Sequence, residues 1–313
     1  MNFDSKIYIA GHKGLIGSAF VRFFEKNGFT NIIFEDRDKL DLCSKTDTFE
    51  FFQRTQPEIV ILAAGKVGGI ISNRDCPADF ISENLSIQLN VFNASLKYKV
   101  KKLIFFGSSC MYPKISSQPM RENLIGSGLP EETSIGYATA KNAGVQMCHA
   151  LNRQYNVTSF ISVIPNSAYG PNDNFDLINS HVIAALIHRF HEAKVLNKPS
   201  ISLWGSGVPK REFVFVDDIV LACIQILKTK ISVDMLPINI GVGKDISIKM
   251  LAEKIKSIVG YSGEVKWDLT KPDGAPRKLL DSSRIRSIGW RSITDIDAGL
   301  KLTYEWFLKN IAK

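Results

Sequence analysis

The chain has 313 residues, 45% of them hydrophobic and 22% charged, and 39 lysines and arginines against 31 acids give it a formal charge of +8. That length allows one large α/β unit or two joined domains with a substantial core, and the composition excludes a low-complexity chain. No apolar run approaches the ~18 residues that a membrane span needs, residues 1–6 do not read as a signal peptide, and the basic residues form no dense run that would grip nucleic acid.

A basic protein of this kind is suited to an acidic metabolite such as a nucleotide diphosphate. The five cysteines (Cys43, Cys76, Cys110, Cys148 and Cys223) are odd in number and lack metal-ligand spacing. They point to a reducing, cytoplasmic setting, with neither a disulfide framework nor a metal site.

In chain order, residues 6–10 read as a buried strand, followed by a glycine-punctuated loop and an amphipathic helix over 15–27. A short strand at 31–34, a helix at 46–55 and a strand at 58–64 come next. A helix over 77–99, a strand at 102–106, a helix over 137–155 and a strand at 158–164 continue the alternation. This is the pattern of a Rossmann-like, doubly wound parallel sheet with helices on both faces.

Past Gly170 the texture changes. Residues 173–180 are loop-like, 182–193 helical and 200–207 a short strand and turn, while 213–216 read as a return to the sheet. From 247 onward short helices and strands alternate. The expected division is a dinucleotide-binding domain over 1–170, with 213–245 returning to it, and a smaller substrate-binding lobe from 171–212 and 246–313.

Gly11, Gly14 and Gly17 follow the first strand and open the first helix. Glycine there removes side chains that would block a pyrophosphate, and the helix N-terminus offers unpaired N–H groups to its charge. The adenosine ribose is read at the end of the second strand, where Glu35, Asp36, Arg37 and Asp38 point both ways. Acids suit NAD, whereas Arg37 together with Lys13 suits the 2′-phosphate of NADP.

Tyr137 and Lys141 stand one helical turn apart and share a face. An ammonium beside a phenol is expected to lower the phenol's pKa and ease proton transfer. Ser108, just past the fourth strand, lies at the carboxyl edge of the sheet, where its hydroxyl can bond a substrate carbonyl.

With these motifs in order the chain resembles the extended short-chain dehydrogenase/reductase superfamily over essentially its whole length. Within it, GSSCMYPK at 107–114, KVGG at 66–69, NSHVI at 179–183, RFHEA at 189–193, WGSG at 204–207, REF at 211–213 and KPDG at 271–274 look like GDP-L-fucose synthases. The resemblance implies 3,5-epimerisation and 4-reduction of a GDP-4-keto-6-deoxy sugar with NADP(H), NAD(H) being the lesser choice. It makes Ser108, Tyr137 and Lys141 the catalytic triad, with Cys110 as base and His181 as acid at carbons 3 and 5.

The same resemblance places Gly11, Lys13, Gly14, Leu15, Ile16, Gly17, Arg37, Asp41, Leu42, Ala63, Lys141, Pro165, Ser167, Ala168 and His181 at the cofactor. It places Arg189, Trp204, Arg211 and Asp273 at the GDP-sugar, where an arginine fork suits a diphosphate. His188 and His191 carry weaker claims, and His12 and His149 read as structural. A homodimer formed through the helix at 79–97 is also implied.

The chain departs from the family's usual pattern at PNSAYGPNDNF, residues 165–175, where Ser167, Ala168 and Asn172 replace an amide, a larger apolar residue and a histidine. The smaller Ala168 opens volume for a bulkier sugar. A GDP-4-keto-6-deoxyheptose 4-reductase without epimerase activity is therefore the alternative.

Overall fold

Ile7, Tyr8, Ile9 and Ala10 are all buried, a pattern that suits only a strand covered on both faces. The computed structural model describes residues 2–177, 180–271 and 273–312. Strands β1 (Ile7–Ala10), β2 (Ile32–Ile33), β3 (Ile59–Leu62), β4 (Lys102–Phe106) and β5 (Phe160–Pro165) join Ile238–Ile240 in a six-stranded parallel sheet. The order is β2, β1, β3, β4, β5 and then Ile238–Ile240, so the winding reverses between β1 and β3, where such sheets bind ligands.

Side-chain alternation divides the apolar residues between two layers. Ile7 and Ile9 pack with Phe20 and Phe24 of α1 (Leu15–Lys26) and with Ile219 and Val220 of the helix Val216–Lys228. Tyr8 and Ala10 face the other layer, with Phe51 and Phe52 of α2 (Lys45–Thr55), Val91 and Phe92 of α4 (Pro77–Lys97) and Val145 and Cys148 of α5 (Ile135–Gln154). Each of the valine, isoleucine and phenylalanine side chains among them contributes roughly 1.5–3 kcal/mol by leaving water. Between α2 and α4 lies α3, Ile70–Asp75, a six-residue helix that periodicity does not reveal.

A third apolar cluster lies outside the sheet layers. It joins Ile187 and Phe190 of helix Val182–Val195, Leu251 and Ile255 of helix Ile248–Val259, and Phe307 of helix Ile296–Asn310. Ser200–Trp204 and Glu264–Asp268 pair in parallel beside them.

Phe213–Phe215, expected to rejoin the sheet, pairs instead with Ser167–Tyr169 in a separate two-stranded ladder. The reason is the burial pattern: Val214 packs into the first core, while Phe213 and Phe215 meet Tyr169 in the third cluster. The strand that completes the sheet is Ile238–Ile240, paired with Val163–Pro165. Among the described residues, no helix is long and apolar enough to cross a membrane.

Candidate active site

The glycine loop has two positions where a side chain is excluded. Gly11 sits at φ +83°, and a Cβ there would meet the Ala64 amide nitrogen at 2.7 Å; one on Gly17 would meet the Gly11 carbonyl oxygen at 2.1 Å. Gly14 caps α1 without a side-chain bond, and no acid lies in the helix's first turn, so its N–H groups stay open to an anion. These features fit the pyrophosphate of a dinucleotide.

Beside the loop opens a cleft of roughly 310 Å³, lined among others by Gly11, Lys13, Gly14, Arg37, Asp41, Leu42 and Ala63. Leu15, Ile16 and Gly17 form the start of α1; Pro165 ends β5, and Ser167 and Ala168 lie in the next strand. The cations at the cleft are paired: Lys13 Nζ lies 2.6 Å from Asp36 Oδ1, and Arg37 reaches Glu83 at 3.3 Å. The hydrogen bond from Lys13 holds the Asp36 carboxyl below its ordinary range, with the charges of Lys13, His12 and Lys39 reinforcing it against partial burial. His12, read from the sequence as structural, lines this cleft, stacked on Phe34 at 4.6 Å and facing Asp36 at 3.3 Å.

Ser108 caps a single 3₁₀ turn, Ser109–Met111, and its hydroxyl accepts the Cys110 amide at 3.2 Å. That turn projects Ser108 and Cys110 from the carboxyl end of β4 towards α5, which carries Tyr137 and Lys141. Lys141 Nζ lies 5.8 Å from the Tyr137 ring centroid and 5.0 Å from that of Phe105. A Cβ on Gly65 would stand 3.6 Å from that ammonium, so the backbone of the loop after β3 comes close to it.

The expected acidification of the phenol by Lys141 is not what the surroundings produce. Burial raises the Tyr137 pKa well above its ordinary value, the Cys110 charge adds to this, and a hydrogen bond with Ser108 opposes it. Burial also lowers the Lys141 ammonium to about 8. Desolvation outweighs the lysine's field because both groups are enclosed. Tyr137 therefore holds its proton at neutral pH, as a donor must.

Cys110 departs in the opposite sense. Burial pushes its thiol up, but the charge of Lys278, a hydrogen bond with Ser108, the charge of His181 and a hydrogen bond with Ser134 bring it below the usual value. Lys278 Nζ stands 4.0 Å from Cys110 Sγ. His181 caps the helix Val182–Val195, with Nδ1 3.7 Å from Asp173 Oδ1. The Asp173 carboxylate beside it raises the His181 pKa, and the charge of Cys110 assists. A thiol with a lowered pKa and an imidazole with a raised one thus lie within each other's field.

At the outer end of the site, Arg211 is drawn towards Cys110, Glu131 and Asp273 by charge, though burial lowers its pKa first. Asp273 accepts from both the amide and the hydroxyl of Ser206. Trp204 is 53% exposed, with Lys271 Nζ 5.7 Å from its ring centroid. Arg189 is half-buried on the helix that His181 caps. His188 and His191 bond the Phe175 carbonyl and the Tyr304 hydroxyl within the third cluster. Asn172 takes φ +66° and accepts from Arg22. Asn179, which opens the NSHVI motif, and Pro272, within KPDG, lie outside the described residues.

Sequence reasoning missed Lys278, Asp173 and the residues that fasten Lys278. Glu212, fully buried, accepts from Asn166 at 2.6 Å, from the Leu280 amide at 3.0 Å and from the Gly243 amide at 2.6 Å. No local motif announces such contacts. The one available signal for Asp173 was its place in the PNSAYGPNDNF segment.

Comparison with known proteins bears on this arrangement. Residues 7–241 match the model of the NAD dependent epimerase/dehydratase family. The chain is 47% identical to GDP-L-fucose synthase 1 of Arabidopsis thaliana over 98% of this chain and 94% of that protein. It is 45% identical to the GDP-L-fucose synthase of Escherichia coli K12 over 97% of each. Among solved structures, a GDP-mannoheptose C4 reductase from Campylobacter jejuni with NADP bound superposes with a TM-score of 0.91 at 38% identity, covering 98% of this chain and 99% of that one.

Proposed function

Since the chain belongs to the NAD dependent epimerase/dehydratase family, we propose that it is an oxidoreductase of the extended short-chain type that epimerises a GDP-linked 4-keto-6-deoxy sugar at carbons 3 and 5 and reduces carbon 4 with NADPH. Its 45–47% identity to GDP-L-fucose synthases supports this reading. The observation that carries it is the clustering of four groups: Tyr137 interacts with Ser108 and Cys110, and Cys110 with His181. In this reading Ser108 and Tyr137 serve the carbonyl oxygen, and Cys110 and His181 serve the carbons beside it.

A hydrogen next to a ketone is acidic because its loss places charge on the carbonyl oxygen. Ser108 and Tyr137 donate hydrogen bonds to that oxygen and stabilise the enolate. Cys110 removes the proton from carbon 3 or carbon 5, and His181, kept protonated by Asp173, returns one from the other face. Tyr137 then gives its proton to the oxygen at carbon 4, while Lys141 supports the resulting charge on the phenol. Bound NADPH supplies the hydride that arrives at carbon 4. Lys13 and Arg37 would hold its 2′-phosphate, and the start of α1 would hold its pyrophosphate. Arg211, Arg189, Asp273 and Trp204 hold the GDP portion. Each placed acid or base contributes on the order of 100- to 10,000-fold in rate.

The enzyme acts in a reducing, cytoplasmic setting, in keeping with its free cysteines. It pairs as a homodimer through α4, where Leu85 and Leu89 share an exposed face. A light-scattering mass of one chain would exclude the dimer.

A second reading, 4-reduction of a GDP-4-keto-6-deoxyheptose without epimerisation, draws support from the likeness to a heptose reductase and from the small Ala168. Incubating GDP-4-keto-6-deoxymannose with the enzyme in deuterated water without reductant separates the two. Deuterium at carbons 3 and 5 is expected; its absence, together with turnover of the heptose, overturns the epimerase reading.

A further inference from the structure

We propose that Lys278 is a positioning residue for epimerisation: its ammonium, 4.0 Å from Cys110 Sγ, keeps the sulfur as the thiolate that takes the substrate proton. The inference rests on the reading of Cys110 as the base and names what makes it one.

A buried thiol ordinarily keeps its proton, because desolvation penalises the thiolate. Cys110 is partly buried on its 3₁₀ turn and needs a fixed cation. The groups that face it come from several elements: Ser108 from its own turn, Ser134 and Tyr137 from the start of α5, His181 from the helix it caps, Arg211 from strand Lys210–Arg211, and Lys278 from strand Arg277–Lys278. Tyr137 and the two serines are neutral. His181 serves as the proton donor, so its charge comes and goes with the reaction. Arg211 interacts with Cys110 but also with Glu131 and Asp273, so its charge is divided among three partners. Among the described residues, Lys278 is the cation whose ammonium reaches the sulfur.

Its place is set by backbone, not by its own side chain. Arg277–Lys278 runs parallel to Lys210–Arg211. The Lys278 carbonyl accepts the Glu212 amide at 3.2 Å and the Asn166 side chain at 3.4 Å. The next residue but one, Leu280, donates its amide to Glu212. Two buried polar side chains therefore hold the strand against the end of β5, leaving the half-buried lysine side chain directed at sulfur. A change at its ammonium leaves that brace intact.

The test reads thiolate formation directly, so that it needs no sugar. Alkylation of Cys110 by iodoacetamide is followed against pH by peptide mass mapping, which separates it from the exposed Cys76. Lys278→Met should slow alkylation of Cys110 about tenfold at pH 7 and move its inflection to higher pH, the scale expected for removing an opposite charge near 4 Å. Lys278→Arg should restore most of the rate, and Lys278→Gln should behave like the methionine variant. Deuterium exchange at carbons 3 and 5 should fall in parallel, with reduction of an already epimerised ketone nearly unchanged. An unaltered alkylation profile in Lys278→Met and Lys278→Gln overturns the proposal, whatever the substrate proves to be. A normal thiol profile in those variants with weakened GDP binding would make Lys278 a phosphate ligand only and equally overturn it. If alkylation shifts as expected but no exchange occurs in the unmodified enzyme, the thiolate assignment stands and the epimerase reading fails.

Discussion

His181 Nδ1 lies 3.7 Å from Asp173 Oδ1, an aspartate almost wholly buried behind it. The carboxylate raises the histidine's hold on its proton, and the imidazolium is lost as pH rises through that raised value. Asp173→Asn removes that support. Exchange at carbon 3 or 5 should then fall roughly tenfold at pH 8 and recover as the pH is lowered. An alkaline limb that does not move in a pH profile of deuterium incorporation would separate Asp173 from the acid's function.

Tyr137→Phe should lower the rate of carbon-4 reduction by at least about 100-fold, because a phenol proton held by burial is the donor. The far-ultraviolet spectrum and nucleotide affinity should be retained. Near-normal NADPH oxidation by this variant would refute the donor role.

Lys141 carries its charge below about pH 8 and loses it above. Reduction should therefore decline as pH rises through that value, since the developing phenolate loses its neighbouring cation. Lys141→Met should abolish the decline along with most of the activity. A rate that stays level to pH 9.5 in the unmodified enzyme contradicts this.

Lys13 is occupied by Asp36, and Arg37 by Glu83. Asp36→Asn frees the lysine and should tighten NADPH a few-fold while leaving NADH nearly unchanged. Arg37→Ala should weaken NADPH more than NADH. Titrations of both cofactors by fluorescence check the pair, and equal losses for the two would remove Arg37 from the 2′-phosphate.

Glu212→Ala should cost about 3 kcal/mol of stability, because it strips partners from the Asn166 side chain and from the Leu280 and Gly243 amides at once. Thermal unfolding would show this as a lowered midpoint. An unchanged midpoint means that water replaces the carboxylate, contrary to its full burial.

The parts of the molecule legible in the sequence are those written in local period or local spacing. Apolar runs at 6–10, 58–64 and 102–106 locate β1, β3 and β4, and the Gly11–Gly17 pattern marks the turn into α1. The one-turn separation of Tyr137 and Lys141 places both on α5. By contrast, Lys278 meets Cys110 across 168 residues and Glu212 meets Asn166 across 46, and neither segment has a pattern that names its partner. The same limit explains Phe213–Phe215: its composition suits a strand, but pairing with Ser167–Tyr169 is chosen by the packing around Tyr169. The reversed acidity of Tyr137 has a like cause, because sequence shows which charge is near but not how dry the surroundings are.

The late arrival of Ile238–Ile240 beside β5 determines how the polypeptide can be divided. A fragment ending near residue 170 would present Val163 to Pro165 as a bare, apolar sheet margin, a template for self-association. During synthesis that margin stays open until the ribosome has released the chain well past residue 240. The six-stranded sheet is thus finished by residues that lie beyond the intervening segment 171–237, and a cut near residue 170 should yield aggregate where an independent module might have been sought.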